Sequence, residues 1–263
     1  MQVAVFASDT DHSQLKKREL EKLIVEKGLT LNNQTPETVI TIGGDGTLLS
    51  AFHRFAHRLD RVRFIGIHTG HLGFYTDWRD FELEELVDSL KDLVSHSVSY
   101  PLLDIHVTYR DNQEPKHFLA LNECVIRRNS GTMRAEVLLK EELFEQFRGD
   151  GLVVSTPTGS TGYNKSVGGA VLHPSLNALQ LTEIASINNR VYRTLGSPLV
   201  IGHQDWVTIE MSELGEHMLM IDNLAMSETN IDKISYRVAK ERIHFGGYRH
   251  NNFWTRVKDA FIK

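Results

Sequence analysis

Three glycines and one aspartate within four positions form the most chemically suggestive stretch of the sequence, Gly43-Gly44-Asp45-Gly46. Glycine lets a backbone approach a ligand closely, and it adopts positive φ angles without strain. Asp45 adds a carboxylate, which can hold a metal ion, orient a hydroxyl group or accept a proton. The stretch therefore predicts a site in which a ligand lies against bare backbone beside one acid. A plain glycine turn, with Asp45 capping the following helix, is the alternative interpretation.

The glycine stretch joins a predicted strand to a predicted helix. Residues 39–42 are all β-branched, which is typical of a buried strand. After the turn, apolar residues recur at helical spacing, namely Leu48, Phe52, Phe55, Ala56 and Leu59. The first N–H groups of a helix have no internal partner and carry partial positive charge, so they favour a phosphate group. The common P-loop and dinucleotide fingerprints, G-x-x-x-x-G-K-[ST] and G-x-G-x-x-G, are absent from this turn.

A second loop, rich in small polar residues, follows another strand-like run. It reads Thr156-Pro157-Thr158-Gly159-Ser160-Thr161-Gly162-Tyr163 and comes after the apolar residues 152–154. Hydroxyl groups and bare amides at this density can bind a sugar, a phosphate or the edge of a base, and Tyr163 can pack its ring against a base. A flexible polar loop is the alternative that the residues themselves leave open.

The first hundred residues predict a parallel α/β domain. Buried strands at 3–7, 39–42 and 64–67 alternate with helical segments, an order that favours a parallel sheet with helices on its faces. The third strand leads into His68-Thr69-Gly70-His71-Leu72-Gly73-Phe74-Tyr75. Ligands of such sheets bind beyond the carboxyl ends of the strands. We therefore expect this loop and the first glycine turn to be two walls of one cleft.

Short strands replace helical spacing from about Pro101 onward. They are predicted at residues 104–109, 118–126, 135–139, 152–156, 199–201, 206–211, 218–221 and 234–238. Many short strands at close spacing indicate a β-sandwich. We predict an N-terminal Rossmann-like α/β domain at 1–100 and a β-sandwich domain at 101–246. The segment 247–263 is predicted to form an amphipathic helix that packs back on the first domain.

Composition excludes several classes of protein. The 263 residues are 41% hydrophobic and 24% charged, with a net charge of −5, which argues against nucleic acid or an anionic membrane as a partner. No apolar run approaches the ~20 residues that span a membrane. The single cysteine, Cys124, has apolar neighbours and is expected to be a packed thiol in a cytoplasmic protein. The 13 histidines are scattered along the sequence, and no metal ligands are assigned.

Four motifs in order closely resemble those of the NAD kinases. They are residues 43–47, residues 70–74, the pair Asn122-Glu123 and residues 156–163, and the stretch from His173 to Asn188 is similar to that of short members from Gram-positive bacteria. The resemblance covers nearly the whole chain, and four motifs together are far more specific than the glycine turn alone. Lipid or sugar kinases that share this turn remain an alternative, as does a dinucleotide-binding regulator that has lost catalysis.

The resemblance implies transfer of the γ-phosphoryl group of ATP to the 2′-hydroxyl of the adenosine ribose of NAD, giving NADP. It also implies a homotetramer. A helix terminus contributes only about 0.3–1 kcal/mol per exposed charge, too little to hold a triphosphate, so Mg²⁺ or another divalent cation is expected with ATP.

The resemblance also implies the roles of individual residues. Asp45 matches the catalytic acid that orients the 2′-hydroxyl and accepts its proton. The implied substrate contacts are Gly44, Gly46, Phe74, Tyr75, Asn122, Glu123, Arg148, Asp150, Thr161, Gly162, Tyr163, Ser166, Ala185, Asp222 and Asn223. His71 joins them because it lies in the second glycine loop, where a phosphate contact and a structural role are both open. Gly162 stands where the family commonly has alanine, and Asn223 where it has glycine or histidine.

Overall fold

The computed structural model describes residues 1–111, 113–247 and 253–262. These residues divide into two compact units, the first drawn from 1–100 and 241–263 and the second from 101–240. Residues 248–252 and 263, which belong to the segment predicted to pack back on the first domain, lie outside the described residues.

The first unit is a parallel sheet with helices. Its strands are β1 (Gln2–Ala7), β2 (Thr30–Leu31), β3 (Thr38–Ile42), β4 (Arg63–His68) and β5 (Trp78–Arg79); its helices are α1 (Asp11–Glu26), α2 (Asp45–Phe55), α3 (Leu83–Ser95) and α5 (Phe253–Phe261), with a 3₁₀ turn at Ala56–Arg58. The sheet order is β2-β1-β3-β4, and every pair is parallel. The predicted strand–helix alternation is thereby confirmed.

Apolar side chains of the central strands and of two helices form the core of this unit. Fully buried members include Val5, Ile40, Ile65, Leu20 and Leu86. The N–H of Gly43 donates to the carbonyl of Ile67, at 2.9 Å. The glycine turn after β3 and the loop after β4 therefore leave the same, carboxyl, edge of the sheet.

The second unit is a β-sandwich. One sheet pairs β10 (Glu142–Gly149), β9 (Met133–Leu139), β14 (Val207–Met211) and β17 (Ile231–Gly246), with β6 (Ser97–Tyr109) between β17 and β7 (Lys116–Ala120). The other has the order β13 (Leu199–Gly202), β12 (Ala178–Ile184), β11 (Gly151–Ser155), β8 (Glu123–Arg128), β15 (Glu216–Ile221) and β16 (Leu224–Thr229). A short helix, α4 (Tyr163–Ser166), follows a 3₁₀ turn at Thr158–Thr161. The boundaries of the two units fall within the long strands β6 and β17.

Side chains from both sheets meet in one apolar core. Ile105 and Val137 come from the first sheet, and Cys124, Val154 and Leu219 come from the second; all five are fully buried. The expectation of a packed thiol is confirmed, and burial raises the pKa of Cys124 to about 12. None of the described helices combines the length and the apolar character that crossing a bilayer requires.

The strand predicted at 118–126 is wrong, because it is interrupted at Leu121 and Asn122 to give β7 and β8. The N–H groups of Leu121 and Asn122 donate to the carboxylate of Asp222, at 2.9 and 2.7 Å, rather than to a neighbouring strand. The sequence between residues 118 and 126 contains no glycine or proline that marks this corner.

Candidate active site

Asp45 is the first residue of α2 and does not cap it. The N-cap residue is Gly44, and no side chain caps this helix, so the capping interpretation is wrong. Instead, Oδ2 of Asp45 accepts the N–H of Phe74 at 2.9 Å, and Oδ1 accepts the N–H of Tyr75 at 3.0 Å. The half-buried carboxylate is thus held in one orientation by the backbone of the loop that follows β4.

The glycines around Asp45 serve two different purposes. A Cβ on Gly73 would lie 2.3 Å from Oδ1 of Asp45, so this glycine makes room for the carboxylate. Gly43 has a φ of +147°, which other residues rarely adopt. Gly44 and Gly46 are exposed, and a Cβ on either would meet nothing within 4 Å. Because the fold does not require glycine at Gly44 and Gly46, the bare backbone there is available to a ligand beside Asp45.

Arg256 of α5 anchors the loop that holds Asp45. Its Nη1 donates to the carbonyls of Gly73 at 2.8 Å and Thr76 at 3.0 Å, and its Nη2 pairs with Asp77. The side chains of Arg256 and Asp77 are 8% and 4% exposed, so the pair is shielded from solvent. Sequence reasoning missed Arg256, since an arginine in an amphipathic helix carries no signal that it is buried.

The remaining predicted residues of this loop differ in their exposure. The ring of Phe74 lies 6.2 Å from that of Phe253 and 6.0 Å from that of Phe261. Tyr75 is 3% exposed, and its ring stacks on Phe245 with centroids 5.7 Å apart. Its ring thus faces the core, while its amide holds Asp45. His71 is exposed.

In the second unit, Asp222 organises the corner that carries Asn122 and Glu123. Asp222 occupies the β15–β16 turn with a φ of +53°, a conformation that Asp tolerates better than most residues. Its Oδ1 accepts the N–H groups of Asn122 at 2.7 Å and Glu123 at 3.2 Å, and its Oδ2 accepts that of Leu121 at 2.9 Å. Asn223, the other turn residue, is exposed.

The polar loop at 156–163 packs against the same corner. The hydroxyls of Thr156 and Thr158 donate to the carbonyl of Leu121, at 2.6 and 2.9 Å. A Cβ on Gly159 would lie 2.0 Å from the carbonyl oxygen of Asn122. The alternative of a flexible polar loop is therefore wrong. Thr161 is half-buried and Ser166 is exposed, which leaves their hydroxyls closer to solvent than those of the corner.

Glu123 is a buried acid with an unused oxygen. Glu123 is 8% exposed. Its burial, reinforced by the charge of Asp222, raises its pKa to about 8, and a backbone hydrogen bond from Tyr163 opposes this rise. Among the described residues its Oε2 has no hydrogen-bond partner. A Cβ on Gly162 would lie 2.9 Å from this oxygen. Glu123 can therefore bind a ligand hydroxyl, as donor when protonated and as acceptor when ionised.

Arg148, Asp150 and Ala185 lie elsewhere in the second unit. The guanidinium of Arg148 covers the ring of Tyr192 at 4.0 Å and lines a cavity of about 200 Å³. Ala185 has a φ of +47° and lines a different cavity of about 290 Å³ beside Thr182. Asp150 is exposed, and its N–H donates to the carbonyl of Ile184 at 2.9 Å. Of these three residues, Arg148 and Ala185 therefore line two different cavities, and Asp150 lines neither.

Two family models match the chain in succession. The model of the ATP-NAD kinase N-terminal domain matches residues 4–98, and that of the C-terminal domain matches residues 121–242. Among curated proteins, the NAD kinase of Enterococcus faecalis is 57% identical across 100% of this chain and 99% of that protein. The NAD kinase of Lacticaseibacillus paracasei is 56% identical across 100% of this chain and 98% of that protein.

Solved structures of low sequence identity share the fold. The yeast NADH kinase complexed with NADH has a TM-score of 0.84 at 18% identity, covering 100% of this chain and 87% of that one. An NAD kinase from Archaeoglobus fulgidus in complex with ATP has a TM-score of 0.78 at 22% identity, covering 98% of this chain and 99% of that one.

The chain combines a parallel α/β unit with a β-sandwich unit, and the two matched family models are those of a phosphotransferase, so the class of protein is a two-domain phosphotransferase. Within that class, the models account for most of the chain, and the curated relatives exceed 50% identity over its whole length. The chain belongs to the NAD kinase family.

Proposed function

We propose that this enzyme transfers the γ-phosphoryl group of ATP to the 2′-hydroxyl of the adenosine ribose of NAD, giving NADP, with Asp45 as its catalytic residue. The observation that carries the proposal is the Asp45 carboxylate, fixed by two backbone N–H groups beside glycines whose backbone is open to a ligand. Phosphoryl transfer depends mostly on positioning and on stabilising charge, and this arrangement supplies the positioning.

Asp45 acts on the alcohol. Both of its oxygens already accept an N–H, and each has a second lone pair free for the ribose hydroxyl. A carboxylate is a weak base for an alcohol, but a loose transition state permits the proton to leave late. The carboxylate first orients the 2′-hydroxyl toward the γ-phosphorus and then receives its proton.

The other contacts divide by unit. Gly44 and Gly46 lie against phosphates at the start of α2, and His71 and Phe74 border the same space; Tyr75 contributes through its backbone. Asn122 and Glu123 bind the adenosine part of NAD at the corner that Asp222 holds. The remaining proposed substrate contacts of the second unit are Arg148, Asp150, Thr161, Gly162, Tyr163, Ser166, Ala185 and Asn223.

The proposed divalent cation enters with ATP as Mg²⁺. Mg²⁺ keeps several waters and binds substrate phosphates, so the phosphates of ATP beside the exposed Gly44 and Gly46 would supply its main ligands, and Asp45 stays free for the ribose hydroxyl. When bound, the ion neutralises charge on the phosphate oxygens.

We also propose a homotetramer in the cytoplasm. By the family resemblance, Arg148 and Asp150 match positions that contact the dinucleotide, and the proposal places these contacts across a subunit boundary; Asp150 is exposed and Arg148 is half-buried. A single, buried cysteine fits a reducing compartment.

The decisive assay incubates the purified, untagged protein with NAD, ATP and Mg²⁺ and measures NADP with an NADP-specific dehydrogenase. Product is expected only when all three are present, and EDTA should abolish it. If labelled phosphate from ATP appears instead on a lipid or a sugar, the enzyme is one of the alternative kinases. Binding of NAD without turnover, under the same conditions, would identify a non-catalytic regulator.

A further inference from the structure

Two histidines that are not among the proposed substrate contacts, His106 and His117, come together on one face of the sandwich. On β6, Leu103, Ile105 and Val107 are fully buried in the core, so strand alternation turns Asp104 and His106 to the opposite face. Strand β7 runs antiparallel beside it and places His117 directly opposite His106. Alternation in two paired strands therefore brings three potential metal ligands onto one patch.

The ligand atoms of these three residues converge. Nε2 of His117 lies 2.5 Å from Oδ1 of Asp104, and Nε2 of His106 lies 3.2 Å from the same oxygen. The two imidazole rings stack with centroids 4.4 Å apart and planes at 21°. One ligand atom from each residue falls within 4.8 Å of the others.

The spacing can be compared with that of a real metal centre. Bonds of about 2.0–2.2 Å at tetrahedral angles place ligand atoms about 3.3–3.6 Å apart. The separation of 3.2 Å between His106 and Asp104 is close to this range, whereas the 2.5 Å separation between His117 and Asp104 must open by about 1 Å. The His106 and His117 side chains are 56% and 54% exposed, so apart from their contact with each other much of each ring borders solvent, which leaves room for a small adjustment.

We propose that Asp104, His106 and His117 form a binding site for a divalent transition-metal ion, with Zn²⁺ as the best match. Two imidazole nitrogens and one carboxylate oxygen are a common three-ligand set for Zn²⁺, and water completes the tetrahedron. The set disfavours Mg²⁺ and Ca²⁺, which prefer oxygen ligands alone. The site is thus chemically distinct from the Mg²⁺ that accompanies ATP.

The backbone of the site is already in place. Register pairs from Leu103 with Ala120 to Val107 with Lys116 fix the two strands on both sides of the histidines. Ligands that project from a hydrogen-bonded ladder need only side-chain rotation to bind, which keeps the ordering cost low. An open coordination position and solvent exposure favour an exchangeable ion over a permanently buried one.

The experiment uses the full, untagged chain, stripped of metal with a chelator and titrated with Zn²⁺ alone by calorimetry. Titration with Co²⁺ alone provides a visible absorption band that reports the coordination geometry. His106→Ala and His117→Ala each remove one ligand. His12→Ala is the matched control, because His12 pairs with Asp80 at the same 2.5 Å but belongs to no three-ligand cluster among the described residues.

Wild type and the His12→Ala control are expected to bind one more ion per chain than either ligand variant, or to bind it at least about 10²-fold more tightly. All variants should retain their NADP-forming activity with Mg²⁺ and ATP, which verifies that they are folded. Equal Zn²⁺ affinity and stoichiometry in wild type and in both ligand variants would overturn the proposal. So would the absence of any Zn²⁺ or Co²⁺ binding by wild type, which would leave a hydrogen-bonded His–Asp–His cluster only.

Discussion

Each oxygen of Asp45 accepts one backbone N–H, and this detail distinguishes a carboxylate from its amide isostere. An asparagine has one acceptor oxygen and one NH₂ group, so it can satisfy only one of the two amides of Phe74 and Tyr75. The NH₂ group of the asparagine would then face the remaining backbone N–H, so that two donors would meet without an acceptor.

We therefore expect Asp45→Asn to lower turnover by roughly 10²–10⁴-fold, the usual range for a general base. The check is kcat for NADP formation, with NAD-induced thermal stabilisation as the control that the variant still folds and binds. A variant with more than half of the wild-type turnover would remove Asp45 from the proposed role.

Gly73 offers a test of Asp45 that leaves the carboxylate itself unchanged. A methyl group there would lie 2.3 Å from Oδ1, so Gly73→Ala must displace the carboxylate or the loop. Gly70 is the matched control, because it lies in the same loop and a Cβ there meets nothing within 4 Å. We expect a loss of about 10²-fold in kcat for Gly73→Ala and little change for Gly70→Ala, since displacements near 1 Å have such effects. Equal activities would show that the orientation of Asp45 is unimportant.

Glu123 makes the stability of the protein depend on pH. Its pKa is about 8 in the folded chain against an ordinary value of 4.5, so between these values the folded state holds a proton that the unfolded state has released. The free energy of unfolding therefore falls as pH rises through this window, by a few kcal/mol at most, and levels off above it.

Glu123→Gln stays neutral at every pH and lacks this term. We expect the free energy of unfolding of the variant to increase relative to that of wild type as the pH is raised from about 5 to about 9. The check is urea unfolding of both proteins at the two pH values. A stability difference that does not change with pH would show that Glu123 is ionised throughout this range in the folded protein.

At the scale of elements, helix α5 acts as an anchor for the loop after β4. Its buried residues are Phe253 and Arg256, and the guanidinium joins the carbonyls of Gly73 and Thr76 to the carboxylate of Asp77. The planar guanidinium of Arg256 contacts three oxygens at once, and the single ammonium of lysine cannot reproduce this geometry. Substitution of Arg256 should therefore shift the loop whose backbone N–H groups bind Asp45.

We expect Arg256→Lys to lower kcat about tenfold with a smaller change in KM, because it shifts the reacting geometry rather than a substrate contact. Lys258→Ala, an exposed position of the same helix, is the control. If Arg256 acts through Asp45, its substitution should add little to Asp45→Asn. A full, independent loss in the double variant would indicate that Arg256 serves another purpose.

The elements that the sequence predicts correctly are those determined by residues close together in the chain. The β-branched run before Gly43 and the helical spacing after it suffice to place β3 and α2. The break between β7 and β8 has a remote cause, because its amides bind a carboxylate 100 residues later in the chain. The anchor at Arg256 and the meeting of His106 with His117 depend on tertiary pairing in the same way. Local sequence signals therefore locate Asp45. The contacts between residues far apart in sequence, including the anchoring of its loop by Arg256, are found only in the three-dimensional structure.

At the scale of the whole molecule, the proposed tetramer gives a direct prediction. Four copies of the 29.9 kDa chain have a mass of about 120 kDa, which light scattering on a size-exclusion column measures without reference to shape. A mass of about 30 kDa at working enzyme concentration, together with full activity, would contradict a required assembly. The wild-type protein needs no tag for this measurement, so the same sample serves for the metal titrations.

The first unit is assembled from both ends of the described chain, and this has a consequence for synthesis on the ribosome. Gly73 and its anchor Arg256 are separated by 183 positions. At about 5–20 residues per second, the loop emerges roughly 10–40 s before the arginine that holds it. During this interval the nascent polypeptide contains Asp45 but lacks the arginine that anchors its supporting loop. An mRNA truncated before codon 256 should therefore yield a product without kinase activity.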